Sequence, residues 1–150
     1  MDIRRLNRDD VGLLRELNQL FGEVFEEPKI YHERTPSDSY LEKLLGNPAF
    51  IAYVATLDGY IVGGVTAYTL PKYEQERSEI YIYDLAVMAE FRRRGIATAL
   101  IKEVRRLASQ TNAWVVMIQA ELEDADPVSL YSKLGRKETV HHFDLEPLED

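Results

Sequence analysis

Arg92-Arg93-Arg94-Gly95-Ile96-Ala97, set between the apolar run of residues 80–87 and the helix-like segment 98–110, is the stretch that decides the fold. It puts a glycine, a small residue and free backbone N–H groups where a strand turns into a helix, the geometry that cradles a pyrophosphate. A helix start carries a partial positive charge and the arginines add full ones, so an anionic cofactor is expected there. The helix repeats Ile96, Ala99, Leu100, Val104 and Leu107 on one face and turns Lys102, Glu103, Arg105 and Arg106 away from it. Residues 113–120 beyond it read as another central strand. Strand, helix and strand in that order predict a right-handed crossover joining two parallel strands.

Working outward, residues 79–87 are almost continuously apolar, as in a strand buried on both faces, and Asp84 is a charge inside that run. Residues 50–56 and 60–70 are rich in β-branched and aromatic side chains, and Leu57-Asp58-Gly59 joins them as a hairpin. Residues 71–77 read as a polar loop. Nearer the N-terminus, residues 1–6 form a short strand, and Asn7 or Asp9 caps a helix whose stripe is Val11, Leu14, Leu17, Leu20, Phe21, Val24 and Phe25. Residues 27–36 break that period with two prolines. This loop borders a cleft in our reading, with Tyr31, His32, Glu33 and Tyr73 as candidate lining. A brief helix opens at Pro36-Ser37-Asp38, covers Tyr40, Leu41, Leu44 and Leu45, and stops at Gly46-Asn47-Pro48. Downstream, a helix starts at Pro127 and ends at Gly135, residues 137–145 form the last strand, and the acidic tail frays.

The chain has 150 residues, 45% hydrophobic and 29% charged, enough for one compact domain and too few for two ordinary ones, so residues 1–150 are expected to form a single domain. No apolar run approaches the roughly 20 residues of a membrane span. The start, Met1-Asp2-Ile3-Arg4-Arg5, lacks the apolar core of a signal peptide, and a cytoplasmic protein without membrane association is expected. The absence of cysteine excludes disulfides, a thiolate nucleophile and cysteine-based metal sites. His32, His141 and His142 make a poor metal set, because two of them are adjacent and face opposite ways on a strand, so no metal is expected. A net charge of -8 argues against nucleic acid and favours a cationic small substrate, although acidity serves solubility equally well. The two signs are segregated along the chain. Basic residues bunch at 92–106, while Glu121, Glu123, Asp124, Asp126 and the tail from Asp144 are acidic.

Arg92-x-x-Gly95-x-Ala97 after Asp84-Leu85-Ala86-Val87, with Leu130-Tyr131-Ser132-Lys133-Leu134-Gly135 downstream, resembles the acetyl-CoA-binding core of the GNAT acyltransferases. More narrowly, Tyr83 to Val87, Arg92 to Ile101, Leu130 to Gly135 and the ending His142-Phe143-Asp144 resemble aminoglycoside 3-N-acetyltransferases of the gentamicin-resistance type. The resemblance implies an α/β fold of the α+β kind. Its centre is a mixed, mostly antiparallel twisted sheet with one parallel strand pair splayed around the acetyl-CoA site and helices on both faces. It also implies an aminoglycoside as acceptor, acetylated on its 3-amino group, and a role in antibiotic resistance; a polyamine or protein amine as acceptor, or a non-catalytic acyl-CoA-binding module, is the alternative, and exposed apolar surface along the last strand leads us to expect a homodimer. Acidity agrees, because aminoglycosides carry ammonium groups that carboxylates hold. The chain departs from the wider pattern at Asp124, where relatives usually carry Asn, and at Arg136, where Phe is usual. A carboxylate cannot donate the hydrogen bond an amide gives to pantetheine.

Arg92, Arg93, Arg94, Gly95, Ile96, Ala97 and Thr98 are assigned to the CoA pyrophosphate, chiefly through backbone N–H groups; a solvated ion pair is the alternative for any one arginine. The resemblance implies that Leu85, Ala86 and Val87 pair with the pantetheine arm through their main chain, with Asp124 beside it. It also makes Tyr131 the general acid for the leaving thiolate, against a core tyrosine with a wet hydroxyl. Asp84 is the candidate base, since an unpaired carboxylate in an apolar strand is costly; a structural hydrogen bond is the alternative. Glu79, Glu121, Glu123, Asp124, Asp126 and Asp144 are candidate anchors for ammonium groups, or else solvated charges and helix caps. Direct attack of the amine on the thioester follows from the lack of a cysteine nucleophile or a Ser-His-Asp arrangement.

Overall fold

Asp58 and Gly59 both take positive φ in the computed structural model, which describes residues 1–149. This is the twist-matched two-residue turn, and it pairs Leu57 directly with Tyr60. The hairpin joins β2 (Phe50–Leu57) to β3 (Tyr60–Pro71). Around it the chain adds β1 (Asp2–Arg5), α1 (Val11–Val24), α2 (Pro28–His32) and α3 (Asp38–Leu45) before it, and β4 (Ser78–Val87), a 3-10 turn (Ala89–Phe91), α4 (Ile96–Gln110) and β5 (Ala113–Ile118) after it. The five strands lie in the order β1-β2-β3-β4-β5. The first three pairings are antiparallel and β4–β5 is parallel, as the strand–helix–strand run predicts.

Adjacent residues of a strand point to opposite faces, and two glycines of β3 show what covers each. A Cβ on Gly63 would meet Ile96 of α4, whereas one on Gly64 would meet Leu17 of α1. The two helices therefore cover opposite faces of the sheet. On the first face Leu14, Leu17, Leu20 and Phe21 of α1 and Leu41 and Leu45 of α3 bury against Phe50, Ala52, Val54 and Ala86. On the other, Ile96, Leu100, Ile101, Val104 and Ala108 are the buried stripe of α4. Gly64 lets α1 approach the sheet: its Cβ would also stand 2.9 Å from the Tyr53 carbonyl oxygen. Gly64→Ala is expected to cost about 1–3 kcal/mol by overpacking, read as a lower midpoint in denaturant at constant slope.

Two local expectations are corrected. Neither Asn7 nor Asp9 caps α1; Asp10 holds that position without a side-chain cap, because its carboxylate accepts from the Asn7 N–H (2.7 Å) and from two Arg4 nitrogens (2.8 and 2.9 Å). Residues 27–36 are not wholly a loop, since Pro28 starts a one-turn helix at the position where its missing N–H costs nothing. The start of α3 is as expected, with Ser37 Oγ accepting the Tyr40 N–H at 3.2 Å.

The chain divides into two compact units, residues 1–119 and the remainder from Ala120. The second unit contains α5 (Ala125–Leu134), which begins two residues ahead of the expected Pro127 and ends at Gly135. The strand expected over residues 137–145 does not form; residues 136–149 have no regular structure and are exposed. Alternation of apolar and polar residues prepares a segment for a sheet, but a strand exists only through a ladder partner, and this segment has none.

Candidate active site

Asp84 reaches its site through a fault in the ladder. Thr66 pairs with Asp84 and Ala67 with Ile82, so Tyr83 is one residue too many on β4, a β-bulge. Strict alternation would turn Asp84 toward the face that carries α4, with Ile80 and Ile82. The extra residue re-aims it, and Tyr83 and Asp84, although consecutive, both line a cavity of about 530 Å³ on the α1 side. The cavity is walled by α1 residues such as Asn18, by Tyr31 and His32 of α2, and by Thr66 and Tyr68 of β3.

Inside it the Tyr31 hydroxyl donates to Asp84 Oδ1 at 3.0 Å. The ring is held in turn, because Asn18 Nδ2 donates to the Tyr31 carbonyl at 2.5 Å and Tyr31 stacks obliquely against Phe21 and Phe25. His32 Nε2 lies 3.2 Å from the Gln19 carbonyl, and its ring occupies the space a side chain at Gly22 would need. Burial pushes the Asp84 carboxyl above its ordinary range, and the Tyr31 hydrogen bond pulls partly back. Burial, then the charge of Asp84, raises the Tyr31 hydroxyl, so it stays a donor at neutral pH. Tyr31→Phe removes the one group that favours the ionised carboxylate. If activity needs that carboxylate ionised, the acid limb of kcat/KM is expected to move to higher pH in a rate–pH profile, with the alkaline limb unmoved.

The residues expected to meet the donor lie along the end of β4 and the start of α4. Pairing with β5 stops at Ile82 opposite Ile118, so on that edge Leu85, Ala86 and Val87 have no neighbouring strand. Arg93 and Gly95 then take positive φ (61° and 78°), and Gly95 is the N-cap of α4. The amides of Ile96, Ala97 and Thr98 are first-turn donors that no helix can satisfy internally. A Cβ at Gly95 would meet nothing within 4 Å, so the cradle is open. An anionic pyrophosphate fits this donor set. The arginines divide their work: Arg92 Nε donates to the Val87 carbonyl at 3.3 Å, Arg94 lies over the Phe91 ring at 5.2 Å, and Arg93 is exposed.

Glu79 does not line the cavity, and its carboxylate accepts from Trp114 Nε1 at 3.3 Å and pairs with Lys72 at 3.5 Å. Of the loop candidates, Tyr31 and His32 line the cavity while Glu33 and Tyr73 do not. In the second unit Glu121, Glu123, Asp124 and Asp126 are exposed, and Asp124 stands at the N-cap of α5 without a side-chain capping bond. Asp144 lies 2.8 Å from His142 Nε2 in an exposed pair. The Tyr131 hydroxyl is pushed up to about 12 by burial and, secondarily, by Asp124. Among the described residues no group of three or more His, Asp or Glu side chains converges as a metal site, and no helix is long and apolar enough to cross a membrane.

A cavity with one carboxylate, beside a strand edge that leads to a glycine-led helix start, fits an acyl-CoA-dependent transferase. The acetyltransferase (GNAT) family matches residues 14–135, and the chain belongs to that family. The fold is similar to an aminoglycoside acetyltransferase from an uncultured soil metagenomic sample, at 46% identity and TM-score 0.95 over 98% of each chain. A second soil-metagenome aminoglycoside acetyltransferase, solved with sisomicin, is 31% identical with TM-score 0.87 over 97% of this chain and 96% of its own. An N-alpha-acetyltransferase of Sulfurisphaera tokodaii is 30% identical over 104 residues, 61% of this chain and 60% of its own length. The match thus spans about 60% of that curated relative's length.

Proposed function

We propose that the protein transfers the acetyl group of acetyl-CoA to an amine of an aminoglycoside, in a ternary complex without an acyl-enzyme. The observation that carries this reading is Asp84, re-aimed by the Tyr83 bulge into a cavity and held there by Tyr31. Its raised pKa suits a group that must take a proton from an ammonium near neutral pH. The similarity to two aminoglycoside acetyltransferases, one solved with sisomicin, supports the acceptor class. The 3-amino group as the acetylated position rests on sequence resemblance.

Acetyl-CoA supplies an activated acyl carbon. The amides of Gly95, Ile96, Ala97 and Thr98, with Arg93, hold its pyrophosphate, and the open edge at Leu85, Ala86 and Val87 pairs with pantetheine. Asp124 is retained as a pantetheine contact. Asp84 accepts the ammonium proton directly or through water; the freed nitrogen pair bonds to the carbonyl carbon, and the C–S bond breaks. The Tyr131 hydroxyl, protonated at neutral pH, gives its proton to the departing sulfur, the second nitrogen proton passes to the phenolate so formed to leave the neutral amide, and Asp84 returns its proton to solvent. Glu121, Glu123, Asp126 and Asp144 remain proposed anchors for further ammonium groups. Residues 1–150 are proposed to work as one domain, in the cytoplasm, as a homodimer, without nucleic acid, membrane or metal, and to confer antibiotic resistance.

The test is thiol release from acetyl-CoA with gentamicin, sisomicin, spermidine and a lysine peptide as acceptors, on wild type and Tyr131→Phe. Turnover of the aminoglycosides, with Tyr131→Phe slowed about 10²-fold or more, supports the assignment. Aminoglycosides inert beside a rapidly acetylated peptide or polyamine would replace the acceptor class, and an unslowed Tyr131→Phe would remove that residue's role.

A further inference from the structure

The cavity does not end at Asp84. Phe50, Tyr68, Tyr83 and Tyr81 form a continuous row of rings, with successive centroids 5.5, 6.0 and 5.9 Å apart and the last two contacts edge-on at 88° and 83°. The first three line the cavity; Tyr81 lies beyond it. Backbone register explains the row, since Tyr68 and Tyr81 are ladder partners on one face and the bulge adds Tyr83 to that face. Phe50 anchors the row in the core, but burial does not account for the rest, because Tyr83 is 65% exposed and Tyr68 39%. Tyr81 is also oriented, its hydroxyl donating to Gln119 Oε1 at 2.8 Å. An edge-to-face contact covers one face of one ring at most, and the exposed ring surface that remains attracts cations and stacks on the C–H surface of a saturated ring.

Charge selects the occupant. Asp84 is the only carboxylate among the cavity-lining residues, and the one arginine there, Arg15, is engaged by Asp38 (2.6 Å) and the Pro36 carbonyl (2.8 Å). An acceptor with several ammonium groups therefore has one carboxylate in the cavity and an aromatic strip running out of it. We propose that the Tyr83–Tyr81 strip is a second acceptor subsite, which takes an aminated ring adjoining the ring whose amine is delivered to Asp84. The inference rests on the proposed aminoglycoside acceptor and assigns it a minimum size of two aminated rings.

The probes are neamine, with two rings, and 2-deoxystreptamine, with one, measured both as acceptors and by calorimetric binding to the full chain. In Tyr81→Leu, and in Tyr83→Leu, the preference for neamine over 2-deoxystreptamine, in KM and in Kd, is expected to fall about tenfold. Tyr81→Phe and Tyr83→Phe keep the ring face and are expected to restore the preference, which separates stacking from a fold defect. An unchanged preference in both leucine variants overturns the subsite, as does a failure of neamine to bind wild type more tightly than 2-deoxystreptamine. Turnover of neamine together with an unchanged preference overturns the subsite alone. If peptides or polyamines are turned over and neamine neither reacts nor binds, the acceptor class falls with it.

Discussion

Asp84→Asn is expected to lower kcat/KM for the acceptor by about 10²–10⁴-fold, the span associated with removing a general base. The amide oxygen still accepts from the Tyr31 hydroxyl, so the 3.0 Å contact and the cavity wall survive and only proton acceptance is lost. Folding moves the other way. Burial raises the Asp84 carboxyl in the folded state, so the native protein favours the neutral form. The cost of ionising it appears as pH rises above the unfolded value near 4 and levels off above the folded one. The amide never pays that cost. Asp84→Asn is therefore expected to be no less stable than wild type at pH 7, with the difference shrinking toward pH 4 in thermal melts. Loss of rate together with loss of stability at pH 7 would instead mark Asp84 as a structural hydrogen-bond partner.

Gly95→Val is expected to raise Kd for CoA about tenfold or more in calorimetry, well beyond Arg93→Lys or Arg94→Lys. Gly95 has φ of 78°, where an L-residue costs roughly 1–2 kcal/mol and a β-branched one is a frank outlier. No neighbour within 4 Å would clash with its Cβ, so the damage falls on the cradle and on whatever enters it rather than on the core. Arg92 already serves the Val87 carbonyl and Arg94 the Phe91 ring, which leaves backbone amides as the principal anion donors. A Gly95→Val protein that binds CoA as wild type does would dissociate this helix start from the donor site.

The frame was legible because its determinants are local. Asp58-Gly59 encodes its own turn, Gly95 its own helix start, and the stripes of α1 and α4 show which face each buries. Asp84 stood out as a charge in an apolar strand, but its direction did not. Counting by twos places it with Ile80 and Ile82, and the bulge at Tyr83 is a property of how β4 matches β3 rather than of β4 alone. The same bulge makes Tyr83 and Tyr68 neighbours, so the aromatic strip is not visible in the sequence of either strand alone. Tyr31 and His32 were found from the loop that carries them, without the hydrogen bonds that fix them to Asn18 and Gln19. The acids were legible as candidates but not in their surroundings. Their value depends on where they stand, and Glu79 proves to be tied to Trp114 and Lys72. The unformed strand of residues 137–145 shows the same limit, since alternation cannot supply a partner.

Acetyl transfer to an aminoglycoside is tested most directly by the product formed from acetyl-CoA and sisomicin by the wild-type protein, identified by mass spectrometry and NMR. A single added acetyl group on one ring amine, the 3-amino group, is expected, formed about 10²–10⁴-fold more slowly by Asp84→Asn. Unmodified sisomicin, in a preparation that acetylates a peptide or a polyamine, would contradict it.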